Sequence, residues 1–256
     1  MRRTLLIAML AFAVTFGGLS LYGQLQRAVA NQPLVADLSD HLVGITTGFS
    51  GASVLLFGAV DGKGDVAVVV RGPARNLVMH RKSRVLGVWA NTHSMTFRGA
   101  PGYYAVAASG PLDEIARDRV LARNEIGVDN LKLKLPLNLA SPGVAKVWRD
   151  ALVRNQEEQG LYRTEVQPVS FLGARLFRAR LELPANVPTG TYQVQVYLLK
   201  NGRIESAQTT PLIVSRIGIE AEIFNFAHNH AAYYGLIAIV VALVAGWLGN
   251  AAFKKS

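Results

Sequence analysis

The chain has 256 residues, with 27 Lys or Arg, 17 Asp or Glu, no cysteine and a formal net charge of +10. The lack of cysteine excludes disulfides, thiolate metal sites and cysteine nucleophiles. Five cations flank the terminal apolar segments (Arg2, Arg3, Arg27, Lys254 and Lys255), which leaves +5 between them. That moderate charge favours anionic lipid surfaces or small anions over nucleic acid.

The first 30 residues are predicted to be a signal peptide. Arg2 and Arg3 precede an apolar stretch from Leu5 to Leu21, and Ala28-Val29-Ala30 has the small-residue spacing that signal peptidase accepts. The alternative is an uncleaved anchor, because 17 apolar residues are many for a signal core. Both interpretations place residues 31 to about 225 outside the cytoplasm.

Residues 31–110 are predicted to form a β-sandwich domain. Val43, Ile45, Thr47 and Phe49 alternate with smaller or polar residues. Further short apolar runs follow at Ser53–Val60, Val66–Arg71, Asn76–His80, Val85–Ala90 and Tyr103–Ala108. Strands spaced by about ten residues and separated by Gly and Pro turns indicate an antiparallel sandwich of immunoglobulin-like size.

Residues 111–160 are predicted to be a helical insert with a short strand. One helix begins after Pro111 and ends near Asn124. A second has Ser141 as N-cap and Pro142 at its first position, and it ends at Gly160. The apolar face predicted for this second helix consists of Val144, Val147, Trp148, Ala151 and Leu152. Between them, Leu131–Leu135 alternates with lysines, as a strand with one solvated face does.

Residues 161–217 are predicted to be a second β region. Phe177–Leu183 and Tyr192–Leu198 alternate strictly between apolar and polar side chains. Asn201-Gly202 joins the latter to Ile204–Thr210, and Asn-Gly between strands is typical of a type I′ hairpin. The two β regions could form one sandwich with a helical insert or two small domains, and we favour two.

The chain ends with a predicted juxtamembrane helix at residues 218–230, a transmembrane helix at 231–253 and a cytoplasmic tail at 254–256. Ala231–Phe253 is apolar and uncharged, and its 23 residues would span roughly 35 Å. Tyr233, Tyr234 and Trp247 lie where aromatic rings favour the headgroup zone. The predicted fold class is therefore mainly β, with immunoglobulin-like sandwich regions, a helical insert and one C-terminal transmembrane helix.

Four residues of this span recur every fourth position, so that they share one face of a helix: Ala238, Ala242, Gly246 and Asn250. Such a face lets another helix approach closely, and Asn250 could hydrogen-bond across the contact. We expect a helix partner here, which is either a second copy or a multi-span membrane protein. The alternative is that Gly and Ala are simply common in spans.

Residues 66–112 contain no Asp or Glu but several cations. We predict that five of them form an anion-binding face: Arg71, Arg75, Arg81, Lys82 and Arg84. Arginine forks suit planar and tetrahedral oxyanions. The alternatives are a solvated strand edge that resists aggregation, or basic residues that face lipid phosphate.

No motif for catalysis, metal binding or cofactor binding occurs in the sequence, so we expect a protein that is not an enzyme. Gly48-Phe49-Ser50-Gly51 misses the Gly-x-Ser-x-Gly frame of hydrolases. His228 and His230 have no third ligand nearby, and we expect them to lie at the membrane interface instead.

Several blocks in fixed order resemble a family of alphaproteobacterial transmembrane proteins. They are GITTGFSGA at 44–52, LFGAV at 56–60, VRGP at 70–73, LFRA at 176–179, LPANVPTGTY at 183–192 and the closing segment Tyr234–Trp247. The family has no assigned activity or catalytic residues. The resemblance implies a neighbourhood of genes for exporters of sulfite and organosulfonates, which is an association rather than a mechanism.

Together these observations predict a non-enzymatic, single-span protein of the bacterial inner membrane, with most of the chain in the periplasm. Its predicted role is accessory subunit of a membrane transporter, of which a sulfur-oxyanion exporter is one candidate. The alternative is an envelope structural or assembly factor that binds a protein partner without a small ligand.

Overall fold

The computed structural model describes residues 33–135, 142–218 and 226–253. The predicted signal peptide, the N-cap residue Ser141 and the tail at 254–256 lie outside the described residues. Half of the predicted juxtamembrane helix, 219–225, also lies outside them, and residues 226–229 are helical.

Besides the helical residues 226–229, the described residues form eleven strands and four α-helices. The strands are β1 (Leu34–Leu38), β2 (Leu42–Ile45), β3 (Gly51–Val60), β4 (Asp65–Arg71), β5 (Ala74–Val85), β6 (Val88–Pro101), β7 (Tyr104–Ala108), β8 (Gln167–Leu172), β9 (Leu176–Pro184), β10 (Gly190–Lys200) and β11 (Arg203–Arg216). The helices are α1 (Leu112–Ile115), α2 (Asp118–Asn124), α3 (Pro142–Glu158) and α4 (Ala231–Phe253), with a 3-10 turn at Val128–Asn130. The prediction of a mainly β chain with one long apolar C-terminal helix is confirmed.

Nine strands form one sheet in the order β1-β3-β9-β8-β7-β4-β10-β11-β2. The sheet curls until β1 reaches β11, where the Gln208 side chain bridges the two strands. The backbone N–H of Ala36 donates to Gln208 Oε1 at 2.9 Å, and Gln208 Nε2 donates to the Ala36 carbonyl at 2.7 Å. One amide side chain thus supplies the hydrogen bonds that a neighbouring strand would otherwise make.

Two neighbouring pairs in this sheet are parallel, β7 with β8 and β2 with β11, and each joins a strand of residues 31–110 to a strand of residues 161–217. Within residues 31–110 the pairs β1–β3, β4–β7 and β5–β6 are antiparallel, as predicted. A parallel pair requires a crossover connection, because a tight hairpin reverses the chain. The helical segment between β7 and β8 provides such a crossover, and β2 and β11 lie too far apart in sequence to be joined by a hairpin.

The core inside the curl draws residues from both predicted β regions. Val54 and Leu56 of β3 pack in it with Leu181 of β9 and Leu198 of β10. A second core lies on the other face of β4, β7 and β10, where the helical insert packs through Ile115 and Leu121. The sequence favoured two small domains, whereas the structure joins the strands of both regions in one sheet around one inner core.

Four tyrosines are almost fully buried in and around these cores, and each hydroxyl donates to a backbone carbonyl. Tyr103 donates to Glu182 at 2.7 Å, Tyr104 to Glu125 at 2.7 Å, Tyr162 to Pro101 at 2.8 Å and Tyr192 to Pro188 at 2.6 Å. Burial raises the pKa of each hydroxyl, that of Tyr103 to about 12. The four hydroxyls therefore stay neutral, and their hydrogen bonds connect separate segments of the chain.

Three predicted local elements are wrong. The helix expected from Pro111 to Asn124 breaks at Ala116, which is extended and bridges to Gly202 instead. Leu131–Leu135 does not form a strand beyond an isolated bridge from Lys134 to Arg98. The strand expected at Val85–Ala90 is interrupted by a turn, because this segment is the end of a hairpin.

Other local predictions agree with the structure because their signals are steric. Asn201 and Gly202 have φ of 52° and 72°, as a type I′ turn requires. Helix α3 begins at Pro142 and ends before Gly160, whose φ is 70°.

Strands β5 and β6 form a separate antiparallel hairpin, outside the curled sheet. The inner half of the hairpin packs against α3: Met95, Phe97 and Ala100 form a small core with Leu152. Every residue from Arg84 to Ser94 is exposed. The hairpin is thus held at its base and free at its outer end.

We call the described residues between 33 and 218 the head of the protein. We predict that the head unfolds in one cooperative transition, because both predicted β regions contribute to its inner core. Leu56→Ala in the first β region and Leu198→Ala in the second remove fully buried side chains. Each should lower the free energy of unfolding by about 2–5 kcal/mol and shift the same transition, measured by circular dichroism of the full chain in detergent.

Leu55→Ala is the matched control, because Leu55 lies beside Leu56 on β3 but is 39% exposed, and its effect should be much smaller. Two separate transitions, each shifted by only one of the two core variants, would contradict a shared core.

Candidate functional site

The structure does not bring the five predicted anion-binding cations to one place. Arg71 lies in β4 of the curled sheet, whereas Arg75, Arg81, Lys82 and Arg84 lie along β5 of the hairpin. Arg84 lies nine positions after Arg75, which corresponds to about 30 Å along an extended strand. One small oxyanion therefore cannot contact all five.

Arg71 is occupied within the fold. Its Nη2 donates to the backbone carbonyls of Asn124 at 2.6 Å and Glu125 at 3.2 Å, and its Nη1 donates to Gln195. These carbonyls are at the C-terminal end of α2, where helix carbonyls lack intrahelical partners and favour a cation. Arg71 thus holds α2 against the sheet.

The end of α2 has a second support. Glu125 caps the helix in the left-handed conformation, with φ of 54°, and its carbonyl accepts a hydrogen bond from Tyr104 as well as from Arg71. The sequence predicted that Arg71 binds a ligand. It could not show the structural role, because the carbonyls to which Arg71 donates belong to a segment more than 50 residues away.

Arg81, Lys82 and Arg84 lie on the exposed outer part of β5. Arg84 Nε donates to the carbonyl of Gly87 at 3.2 Å, across the turn of the hairpin. Among the ion pairs of the described residues, none involves these three side chains. Within the described residues, their charge is therefore not neutralised by a direct ion pair.

A groove of about 620 Å³ lies between the hairpin and α3. Its lining includes apolar residues of α3 (Val144, Val147 and Trp148), two cations of β5 (Arg81 and Lys82) and the acidic residue Glu158. The sequence predicted an apolar face on α3 that includes Val147, yet this side chain is 65% exposed. In the sequence, this groove is indicated by the apolar face of α3, which has more apolar residues than the fold buries.

The four residues of the predicted helix-partner face lie in α4. Ala238, Ala242, Gly246 and Asn250 are spaced by four residues in a continuous helix, so they lie along one side, and all four are exposed. No residue of the 18-residue apolar window Ala231–Leu248 is buried against the rest of the described chain.

The structure offers little to hold a metal ion. Within residues 33–135, 142–218 and 226–253, no three His, Asp or Glu side chains are grouped as metal ligands would be. The ring of His230 instead contacts Phe226 and Tyr233 near the start of α4.

We predict that Arg71 contributes to stability rather than to anion binding. Arg71→Met keeps the length of the side chain but removes the donors that hold α2, so it should lower the free energy of unfolding by about 1.5–3 kcal/mol. Arg75→Met, at an exposed position on β5, should change it by less than about 0.5 kcal/mol. Denaturant unfolding of the two variants makes the comparison, and equal stabilities would refute the structural role.

The comparisons with known proteins agree with this architecture. No curated protein and no solved structure matches the chain. Residues 33–255 match the family described as "Putative transmembrane protein (Alph_Pro_TM)", which includes the curled sheet, the hairpin and α4 in one continuous match. The chain belongs to this family of transmembrane proteins.

Proposed function

We propose that the protein is a non-enzymatic, single-span accessory subunit of a membrane transporter. Its β head lies on the periplasmic side of the bacterial inner membrane and acts by binding rather than by catalysis. The observation that carries this proposal is α4, a long apolar helix whose window Ala231–Leu248 is not buried against the rest of the described chain.

The dimensions of α4 fit a bilayer. Its 23 residues give a length of about 35 Å, and its most apolar window has a mean hydropathy of 2.1. Tyr233, Tyr234 and Trp247 are exposed towards the two ends, where aromatic rings prefer the headgroup zone. A helix of this kind has lipid or another span as its surroundings.

The proposed orientation follows from charge. Lys254 and Lys255 come directly after α4, and lysines flanking a span favour the cytoplasmic side. The signal peptide predicted for residues 1–30 would deliver the head to the opposite side. The head would then lie in the periplasm.

The proposed partner is a multi-span membrane protein that packs against the small-residue face of α4. Small side chains let two helix backbones approach closely, and an exposed Asn250 side chain can hydrogen-bond across the contact. The family resemblance suggests an exporter of sulfite or organosulfonates as the partner to test first.

We predict that Ala242→Ile with Gly246→Ile abolishes recovery of the partner. The added side chains would hold the helices apart while leaving α4 apolar enough to span. The measurement is crosslinking in native membranes, followed by purification of the full chain and identification of the proteins that copurify.

Val240→Ile with Val244→Ile is the matched control, because these residues have the same spacing on the opposite side of α4. It should leave recovery unchanged. If the Ala242/Gly246 variant also recovers the same partner in full, the small-residue face is not the docking surface.

A second candidate function is an envelope structural or assembly factor that binds a protein without a small ligand. It is favoured by the positions of the five cations, since Arg71 is engaged by carbonyls and the other four are spread along β5. In that case, crosslinking would recover envelope proteins through the head instead of a transporter through the span.

The spread of cations also predicts that the full chain in detergent shows no saturable heat of binding when it is titrated with millimolar sulfite, sulfate or phosphate. Tight oxyanion sites need several donors converging within hydrogen-bond distance, and strand geometry keeps these apart. Saturable binding that Arg81→Ser with Lys82→Ser removes would instead establish a small-anion site on the hairpin.

A further inference from the structure

The outer end of the β5–β6 hairpin exposes a group of large apolar side chains. We define the hairpin tip as Val85, Leu86, Val88 and Trp89 around Gly87. Val85 pairs with Val88, so that Leu86-Gly87 is a two-residue turn. Leu86 is 100% exposed, Val88 69% and Trp89 67%. Exposed apolar side chains grouped in this way usually indicate an interaction surface.

The turn itself holds Leu86 in an unfavourable conformation. Leu86 and Gly87 have φ of 50° and 88°, which is the type I′ geometry. Asn, Asp or Gly normally takes the first position, because a larger side chain without a local hydrogen bond is disfavoured in the left-handed region. The same chain uses Asn201 at the equivalent position of its other two-residue turn, where φ is 52°. Folding therefore does not explain a leucine at position 86.

Three cations lie next to the tip on one strand of the hairpin, β5. Arg81, Lys82 and Arg84 lie within five residues of Leu86, which is within about 17 Å along the strand. Arg84 is paired directly with Trp89 on the opposite strand. Positions 66–112 contain no acidic residue, and Glu158 of α3, which lines the same groove as Arg81 and Lys82, forms no ion pair with them.

An apolar hairpin tip that contains a tryptophan and is preceded by basic residues is complementary to an anionic bilayer. Apolar side chains enter the boundary between headgroups and acyl chains, tryptophan favours the headgroup zone, and lysine and arginine pair with lipid phosphates. The exposed outer half of the hairpin gives the tip reach, while the packing of Met95 and Phe97 against α3 keeps its base fixed.

The tether adds to this attraction. Because α4 anchors the chain in a bilayer, the head remains at a high effective concentration near lipid, and even a weak insertion is populated. From these observations we propose that the hairpin tip inserts reversibly into the surface of an anionic bilayer. Leu86 and Trp89 enter the interface, and Arg81, Lys82 and Arg84 contact headgroup phosphates. The protein then has two membrane contacts, one permanent and one dependent on lipid charge.

The absence of native cysteines allows one position at a time to be labelled. Leu86→Cys and, as the matched control, Ala174→Cys in the exposed turn between β8 and β9 each receive an environment-sensitive fluorophore. The full chain is placed in nanodiscs of phosphatidylcholine alone or with phosphatidylglycerol. Quenching by acrylamide, a neutral solute, then measures access from water.

With phosphatidylglycerol present, we expect quenching at position 86 to fall about threefold relative to position 174, with a blue-shifted emission. Lys82→Ser with Arg84→Ser should restore quenching at position 86, and so should high salt, because both weaken the attraction to phosphate. Equal quenching at positions 86 and 174 in anionic discs would overturn the proposal. Protection that is independent of lipid charge, or that needs an added membrane protein, would overturn it too.

Discussion

The architecture depends on burial of the inner face of the curled sheet. Strands that are far apart in sequence contribute to that face, so no part of the sheet can bury its apolar side alone. Where the curl brings β1 to β11, the Gln208 amide pairs with both backbone groups of Ala36. Hydrophobic burial drives the curl, and this side chain satisfies the strand edge where regular pairing stops.

The curled sheet supports the helical insert and the β5–β6 hairpin, which lie outside it. Strands β4 and β7 are buried on both faces, because the helical insert covers the side that the curl leaves open. Arg71 and Tyr104 fix the end of α2 to this base, and α3 in turn holds the inner half of the hairpin. The outer half, from Arg84 to Ser94, is exposed throughout and contributes no residue to the cores of the described chain.

Local signals were enough to predict the parts of the fold that local sterics determine. The alternation of β9 and β10, the turn at Asn201-Gly202, the start of α3 at Pro142 and the apolar run of α4 depend on neighbouring residues alone. Pairing of β3 with β9 and of β4 with β10 depends on contacts across more than 100 residues, which periodicity does not encode. For the same reason the sequence could find the basic segment but could not show that Arg71 belongs to a helix end, or that Val85–Trp89 is a hairpin turn instead of a strand.

The order of the strands also constrains how the chain is made. Strand β3, the second strand from one edge, can pair with β9 only after β9 has been made. The edge strand β2 pairs with β11, which ends at Arg216. Only 14 residues separate Arg216 from Ala231, where the span begins. The sheet can therefore close only once almost all of the head has emerged, at about the moment when the anchor reaches the bilayer. Such long-range pairing is slow, so we expect the sheet to be completed late, after nearly all of the chain has been made.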